Sequence, residues 1–276
     1  MKIKSIIYLF LLSVVFASCS DNGDSVNYGK KIAGVYDGYA VASCAYFDNQ
    51  VASAQKLSIT ATTADDIVAV SYESDTWGKI TIEQAKVTES GNRYLISGSG
   101  TSLMGMGDKV SEYECSVSGA VTDGKAELTF ACPQIMGGLT IEFRQGDIPA
   151  SIVVPGTYNG YTKADCAYFK DMYADNQTIE ISAAGNDTYK AVLVSTTWGE
   201  FTVEGITATT TDGGVTFSLT GTGVTKMGMG GNVKDYDCSF AGTVDADKDA
   251  PTFTFTVPAV MGGLTLVFNT GDMPQQ

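Results

Sequence analysis

Two Met-Gly-Met-Gly stretches place pairs of methionines two residues apart, at Met104 and Met106 and at Met227 and Met229. Thioether sulfur is a soft donor, so a Met-x-Met pair could bind Cu(I) or haem iron. Such a pair could also form an adaptable wall of an apolar ligand pocket, or fill irregular space in a protein core. In a β-strand, both methionines of a pair lie on one face and the glycines lie on the other. We favour the core-filling interpretation and keep the pocket and the metal site as alternatives.

The chain of 276 residues contains no histidine. This composition excludes Ser-His-Asp triads, Cys-His pairs and His-ligated zinc or haem. A pair of carboxylates could still hydrolyse glycosides, but the acidic residues are scattered through turns and polar strand positions, and no repeated pair lies in apolar surroundings. We therefore predict a protein that is not an enzyme and that has no catalytic residues, no cofactor and no metal site.

Four of the six cysteines form two equivalent pairs. Cys44 and Cys115 are 71 positions apart, and Cys166 and Cys238 are 72 positions apart. Cysteines of an exported protein meet an oxidising compartment, where disulfides persist. We predict one disulfide in each pair, and each is expected to contribute on the order of 4 kcal/mol through loop closure.

A second pairing competes with this one in the first half of the chain. If Asp123 and Gly124 form a two-residue hairpin turn, Cys115 lies directly opposite Cys132 on the neighbouring strand. Val257 takes the place of Cys132 in the second half, so only the first pairing serves both halves, and we prefer it. Free thiols throughout are the remaining alternative.

Tryptophan and further methionines complete a candidate ligand pocket. Trp77 and Trp198 are each followed by glycine, and Met136 and Met261 each open a Met-Gly-Gly-Leu-Thr stretch. The tryptophans are predicted anchors of the core or of a barrel end, with ligand contact as the alternative. The candidate pocket residues are Met104, Met106, Met136 and Trp77 in the first half and Met227, Met229, Met261 and Trp198 in the second half.

The chain contains one unit in two copies. The stretch GVYDGY from Gly34 recurs as GTYNGY from Gly156, CAYF recurs at Cys44 and Cys166, and the Met-Gly-Gly-Leu-Thr stretches follow at a nearly constant offset. We predict two domains, at residues 32–149 and 150–276, each long enough to have its own core. Because only PASIVV separates the two copies, we expect them to pack against each other.

Each copy has the pattern of an all-β domain. Apolar residues alternate with polar residues, and Asp-Gly and Gly-Asn turn signals separate the runs at hairpin spacing. No stretch shows a convincing helical period. About eight antiparallel strands per copy predict two tandem eight-stranded up-and-down barrels, with β-sandwiches as the alternative. Such barrels are filled by side chains or hold one small ligand, and the CAYF stretches lie where a loop could cover the barrel mouth.

The sequence resembles the calycin-like, or lipocalin-like, β-barrel lipoproteins of Bacteroidetes. The resemblance covers residues 32–146 and 154–271 and includes the mid-unit Trp-Gly and the final Met-Gly-Gly-Leu-Thr. Its other motif is a Gly-x-Tyr-x-Gly formed by Gly34, Tyr36 and Gly38 and by Gly156, Tyr158 and Gly160. It implies the barrel fold, and through the wider lipocalin group it implies ligand binding.

The N-terminus has the pattern of a lipoprotein signal peptide. Lys2 and Lys4 precede an apolar run that is too short to span a membrane, and small residues follow just before Cys19. We predict a signal peptide at residues 1–18, lipidation of Cys19 and a flexible tether at residues 19–31. The acidic residues after Cys19 resemble surface-export signals of Bacteroidetes lipoproteins, so we expect an outer-membrane lipoprotein exposed at the cell surface.

The chain is strongly acidic, with a net charge of −14. Phosphate backbones and anionic lipid headgroups would repel it, so we predict no nucleic-acid partner and membrane attachment through acyl chains on Cys19. The leading functional hypothesis is a lipid-anchored protein of the cell envelope that carries a small apolar ligand in its barrels. The alternative is a structural or interaction lipoprotein whose filled barrels contact a protein or a glycan through their surfaces.

Overall fold

The computed structural model describes residues 26–106, 109–228 and 232–275. Within these residues the chain forms two closed, antiparallel, eight-stranded barrels, as predicted, and not sandwiches. The elements of the first barrel are α1 (Tyr28–Ile32), β1 (Gly34–Cys44), β2 (Phe47–Ala61), β3 (Ile67–Ser74), β4 (Gly78–Ser90), β5 (Arg93–Met106), β6 (Lys109–Thr122), β7 (Lys125–Cys132) and β8 (Leu139–Gln145). Those of the second barrel are α2 (Ala150–Val153), β9 (Gly156–Asp165), β10 (Met172–Gly185), β11 (Thr188–Ser195), β12 (Gly199–Thr209), β13 (Thr216–Met227), β14 (Lys234–Asp245), β15 (Thr252–Val257) and β16 (Leu264–Thr270).

Strand alternation in the sequence becomes the division between core and surface. In β15, Phe253, Phe255 and Val257 are fully buried, while the threonines between them are more exposed. Successive side chains of a strand point to opposite faces, so one face of each strand fills its barrel. Within each barrel, each strand pairs with the next one along the chain, and β1 pairs with β8 and β9 with β16 to close the barrels.

A short helix closes one end of each barrel. Neither helix was predicted from the sequence. The Tyr36 hydroxyl in β1 donates a hydrogen bond to the carbonyl of Ile32 in α1 at 2.6 Å. Its counterpart Tyr158 donates to the carbonyl of Val154, after α2, at 2.8 Å. Burial raises the pKa of Tyr158 to about 12, so its hydroxyl remains a donor at neutral pH. The tyrosine of the Gly-x-Tyr-x-Gly motif thus fixes the helix to its barrel.

The first of these helices lies inside the predicted tether. Asn27 caps α1 by accepting a hydrogen bond from the backbone N–H of Lys30 at 2.8 Å. Residues 28–31 are therefore helical, whereas the prediction placed them in a flexible tether. The predicted signal peptide and Cys19 lie outside the described residues.

The two barrels pack against each other. Tyr39 on the outer face of β1 is only 4% exposed and belongs to the core cluster of the second barrel, against which Val41 and Val51 also pack. In the connection between the barrels, the N–H of Ile148 donates to the carbonyl of Gly213 at 3.0 Å.

Aromatic side chains fill the middle of each barrel. The Tyr72 and Phe130 rings lie 5.3 Å apart in the first barrel, and the Phe201 and Phe255 rings lie 4.9 Å apart in the second. These four side chains are fully buried. We call the end of each barrel that lies opposite the helix the open end. At the open end of the first barrel lie the β1–β2, β3–β4, β5–β6 and β7–β8 loops.

Candidate functional site

An apolar cleft of about 510 Å³ lies at the open end of the first barrel. It is built from the β3–β4 loop with the start of β4, the end of β5, the start of β6, and the β7–β8 loop with the start of β8. Its main apolar side chains are Trp77, Met104, Tyr113, Ile135, Met136 and Leu139.

A cleft of about 570 Å³ occupies the equivalent place in the second barrel. Most of its lining repeats the first cleft at corresponding sequence positions, and Phe169 and Met172 join it from the β9–β10 side. Its repeated apolar side chains are Trp198, Met227, Tyr236, Val260, Met261 and Leu264. Both volumes lie in the range of small-molecule sites.

The clefts bring together six of the eight candidate pocket residues. Trp77 and Trp198 are 6% and 5% exposed, and Met104 and Met227 are each 9% exposed. These four side chains therefore lie at the base of their clefts. The side chain of Met106 and the whole of Met229 lie outside the described residues, so the metal-binding alternative remains a prediction.

Met136 and Met261 form the rims of the clefts and are 50% and 46% exposed. Both residues have a positive φ, 48° for Met136 and 51° for Met261. Methionine is strained in this left-handed region, which glycine and asparagine occupy more readily. The same exposed methionine with a positive φ therefore occurs in both copies.

Each cleft is also lined by one valine and one tyrosine that are not among the predicted pocket residues. They lie on β6 in the first barrel and near the start of β14 in the second. They are Val110 and Tyr113 in the first barrel and Val233 and Tyr236 in the second. Their identical spacing after each Met-Gly-Met-Gly stretch was visible in the sequence. That spacing was the signal that could have found them.

The glycines of the Met-Gly stretches have a structural role. A Cβ atom on Gly105 or on Gly228 would overlap the backbone of the returning chain, at Lys109 and at Asn232 respectively. The close approach of the two strands therefore requires glycine, while the neighbouring Met104 points inward. Met104 is therefore buried in the barrel and also forms the base of the first cleft.

Aromatic residues of the CAYF loops partly cover each tryptophan. The Phe47 and Trp77 rings are 5.5 Å apart, and the Phe169 and Trp198 rings are 6.1 Å apart. The tyrosine that precedes each phenylalanine, Tyr46 or Tyr168, is instead 81% exposed.

The two tryptophans differ in their hydrogen bonding. The Trp198 Nε1–H donates to the Thr162 hydroxyl at 2.9 Å. Ala40 in β1 occupies the position that Thr162 has in β9, and the buried Trp77 Nε1–H has no partner within the described residues. An unpaired buried donor costs stability, so Trp77 carries a cost that Trp198 avoids.

Replacing Thr162 by alanine is therefore expected to destabilise the second barrel by about 1–3 kcal/mol, because Trp198 loses its acceptor. The reciprocal Ala40→Thr variant, which supplies Trp77 with an acceptor, is the matched comparison. Denaturant unfolding followed by tryptophan fluorescence measures both changes. Equal stability of Thr162→Ala and the unaltered protein would contradict this account of the hydrogen bond.

The five described cysteines are free thiols, so this part of the chain contains neither predicted disulfide. Cys44 and Cys115 lie three strands apart around the barrel, with β8 and β7 between them. Three spacings of about 4.8 Å around a small barrel place the two Cα atoms on the order of 12 Å apart, and a disulfide requires less than about 7 Å. The pairing of Cys44 with Cys115 does not fit this geometry, and the equivalent pairing of Cys166 with Cys238 does not fit either.

In the described ranges, no group of three or more His, Cys, Asp or Glu side chains is arranged to hold a metal ion. No helix in these ranges is long and apolar enough to cross a membrane. The acids with shifted pKa values are Glu204, lowered by its hydrogen bond with Lys190, and Asp212, lowered by hydrogen bonds from the Thr216 backbone and the Thr210 hydroxyl. These shifts favour the charged form, which is the opposite of what a general acid needs.

A comparison with solved structures finds a proposed outer membrane protein of Bacteroides fragilis. It is 26% identical to this chain, the match covers 89% of this chain and 99% of that one, and the TM-score is 0.59. A protein of unknown function from Nostoc punctiforme, of the DUF3598 family, is 10% identical over 86% of this chain and 95% of that one, with a TM-score of 0.25. A variant of transferrin binding protein B from Haemophilus parasuis is 10% identical over 86% and 75% of the two chains, with a TM-score of 0.28. The last two superpositions are too loose to bear on function.

A comparison with curated proteins finds no match. The sequence model of the calycin-like β-barrel domain matches two regions, residues 32–144 and 154–271. These regions contain the two barrels and both clefts, and they agree with the resemblance carried by the Gly-x-Tyr-x-Gly and Met-Gly-Gly-Leu-Thr motifs. The chain therefore belongs to the calycin-like β-barrel domain family, and it contains two tandem copies of that domain.

Proposed function

We propose that this protein is a lipid-anchored binding protein of the cell envelope that holds a small apolar ligand in the cleft at the open end of each barrel. The observation that carries the proposal is the repetition of the cleft. Tryptophan at the base, methionine at the base and rim, and tyrosine at the side recur at equivalent positions in both barrels. Polarizable and aromatic side chains of this kind adapt to apolar ligands of varied shape.

The strained rim methionines support this proposal over a purely structural role. A turn at positions 136 and 261 would form more easily with asparagine or glycine. Exposed apolar side chains at such positions contribute little to the core, but they extend the apolar wall of the cleft towards solvent.

The protein acts by binding and not by catalysis in this proposal. The absence of histidine from the sequence and the apolar lining of the clefts both support this part of it. No cofactor is proposed for the clefts, because Trp77, Met104 and their counterparts are arranged as an apolar surface.

Attachment to the outer membrane through acyl chains on Cys19 is the proposed anchor. The lipoprotein-type sequence around Cys19 and the likeness to a proposed outer membrane protein support it. The net charge of −14 favours acyl attachment over electrostatic binding to anionic lipid.

Fluorescence tests ligand binding in each cleft separately, because the chain has only two tryptophans and each lies in one cleft. The probe is N-phenyl-1-naphthylamine, a neutral aromatic amine. In Trp198→Phe the only donor is Trp77, and in Trp77→Phe it is Trp198. We expect energy transfer from each tryptophan to bound probe, saturating with a Kd on the order of 1–100 µM. Absence of saturable transfer in both variants would refute the proposal.

Native mass spectrometry of the full chain purified gently from its own host identifies the natural ligand. We expect an added mass that is lost when the protein is denatured. Its absence, together with failed probe binding, favours the second candidate function.

The second candidate is an interaction protein whose filled barrels contact a protein or a glycan through their surfaces. Tyr46 and Tyr168, each 81% exposed beside a cleft, are the observation that favours it. Exposed aromatic side chains are enriched at recognition surfaces, and partner binding would then depend on these tyrosines and not on the cleft methionines.

A further inference from the structure

Two cysteines of the first barrel face each other across neighbouring strands. The hairpin of β6 and β7 pairs Ser116 with Ala131, so the preceding residue, Cys115, lies opposite Cys132. Cys115 is 4% exposed and Cys132 is fully buried. This register is the one that follows from a two-residue turn at Asp123 and Gly124.

The two thiols are in contact. The Cys115 thiol is hydrogen-bonded to Cys132, and this bond, followed by burial, raises the pKa of Cys115. Directly opposed residues of an antiparallel pair have Cα atoms about 4.5 or 5.5 Å apart. Both spacings lie within the range of about 4.4–6.8 Å that a disulfide spans, so no strand movement is needed.

The other described cysteines lack such a partner. Cys238 in the second barrel lies opposite Val257, because Ser239 pairs with Thr256. Cys44 and Cys166 accept hydrogen bonds from backbone N–H groups of their own loops, from Tyr46 at 3.4 Å and from Tyr168 at 3.3 Å.

We propose that the free thiols of Cys115 and Cys132 are oxidised to a cross-strand disulfide that braces the first barrel, and that Cys44, Cys166 and Cys238 remain thiols. In the reaction the two thiols lose two protons and two electrons, and a disulfide oxidant such as oxidised glutathione takes them up and becomes two thiols. Because both sulfur atoms are buried, the exchange takes place before the barrel closes. Reduction of the finished bond then requires local opening of the barrel.

The brace lies directly beneath the first cleft. Tyr113, two residues before Cys115, lines that cleft, and so does Leu139, which pairs with Cys132. The disulfide therefore fixes one wall of the first cleft, while the wall of the second cleft stays unbridged. Two clefts with nearly the same lining thus differ in their dependence on redox conditions.

Disulfide mapping of the full chain tests the proposal independently of ligand binding. The chain is refolded in a mixture of oxidised and reduced glutathione, its free thiols are alkylated under denaturing conditions, and its peptides are analysed by mass spectrometry. We expect a cross-linked peptide pair that joins Cys115 to Cys132, and alkylated Cys44, Cys166 and Cys238. Full alkylation of Cys115 and Cys132, or a link between Cys44 and Cys115, would overturn the proposal.

The second barrel supplies the matched variants. Cys132→Val copies Val257 and is expected to abolish the link, while Val257→Cys is expected to create an equivalent link with Cys238. Oxidation is expected to raise the Tm of the first barrel by about 10 °C in the unaltered protein and to leave Cys132→Val unchanged. If Cys132→Val does not fold, the peptide map of the unaltered protein still decides the question. A link in Val257→Cys together with none between Cys115 and Cys132 would also refute the proposal.

Discussion

Replacing both rim methionines by asparagine, as Met136→Asn and Met261→Asn, is expected to weaken binding of N-phenyl-1-naphthylamine at least about tenfold in each cleft, equivalent to about 1.4 kcal/mol. The physical reason is that each cleft loses one half-exposed apolar side chain, which extends the cleft wall. Burial of their exposed surface by a ligand accounts for an effect of this size.

The same variants are expected to fold at least as stably as the unaltered protein. Asparagine tolerates the left-handed conformation that positions 136 and 261 adopt, so relief of strain adds up to about 1 kcal/mol to the free energy of unfolding. Binding and stability therefore change in opposite directions, as is common where a strained residue serves function.

Leucine variants at the same positions serve as controls. Met136→Leu and Met261→Leu keep an apolar side chain of similar volume and are expected to bind the probe within about threefold of the unaltered protein. Titrations of the single-tryptophan proteins assign each effect to its own cleft. Unchanged affinity in the asparagine variants would show that these methionines do not contact the ligand.

Replacing Gly38 or Gly160 by alanine is expected to destabilise the corresponding barrel by about 3 kcal/mol, the upper part of the usual range for overpacking. A Cβ atom on Gly38 would overlap the carbonyl oxygen of Arg144 and lie 2.8 Å from the Cα atom of Gln145. A Cβ atom on Gly160 would meet Asn269 and Thr270 in the same way. These contacts lie where β1 meets β8 and β9 meets β16, so the substitution acts on closure of the barrel.

Gly34→Ala is the matched control in the same motif. An added Cβ atom there comes no closer than 3.9 Å to another residue, the Tyr36 ring, so we expect stability within about 0.5 kcal/mol of the unaltered protein. Thermal unfolding measures the difference, with a Tm lowered by about 10 °C for Gly38→Ala and Gly160→Ala. Similar Tm values for Gly34→Ala and Gly38→Ala would show that the seam tolerates a side chain.

The two ends of each barrel have different roles. The helix end and the seam hold the fold, through Tyr36 and Gly38 in the first barrel and Tyr158 and Gly160 in the second. The open end has the features of a site: an apolar cleft, strained rim residues and an aromatic cover. A barrel whose middle is filled by aromatic rings can still bind a ligand at its mouth, so the filled and ligand-binding alternatives are compatible.

Sequence alone determined the repeat, the strands and the closed barrels. The alternation from Phe253 to Val257 and the turn signal at Asp123-Gly124 depend only on neighbouring residues. A strand with one buried face requires such alternation, so both features can be recognised in the sequence. The turn also predicted the register that places Cys115 opposite Cys132, because a two-residue hairpin fixes register through adjacent residues.

Only the tertiary structure decided which distant residues meet. Cys44 and Cys115 recur in both copies, but closure of the barrel places two strands between them, and sequence spacing does not measure distance around a sheet. The helix α1 is five residues long and is held by Asn27 and Tyr36, because so short a helix has too few turns for a periodic signal and is stable only through its packing. The clefts likewise depend on four loops that converge at one end of each barrel. The candidate residues could therefore be listed from the sequence, but the fold brought Trp77, Met104 and Met136 into one cleft.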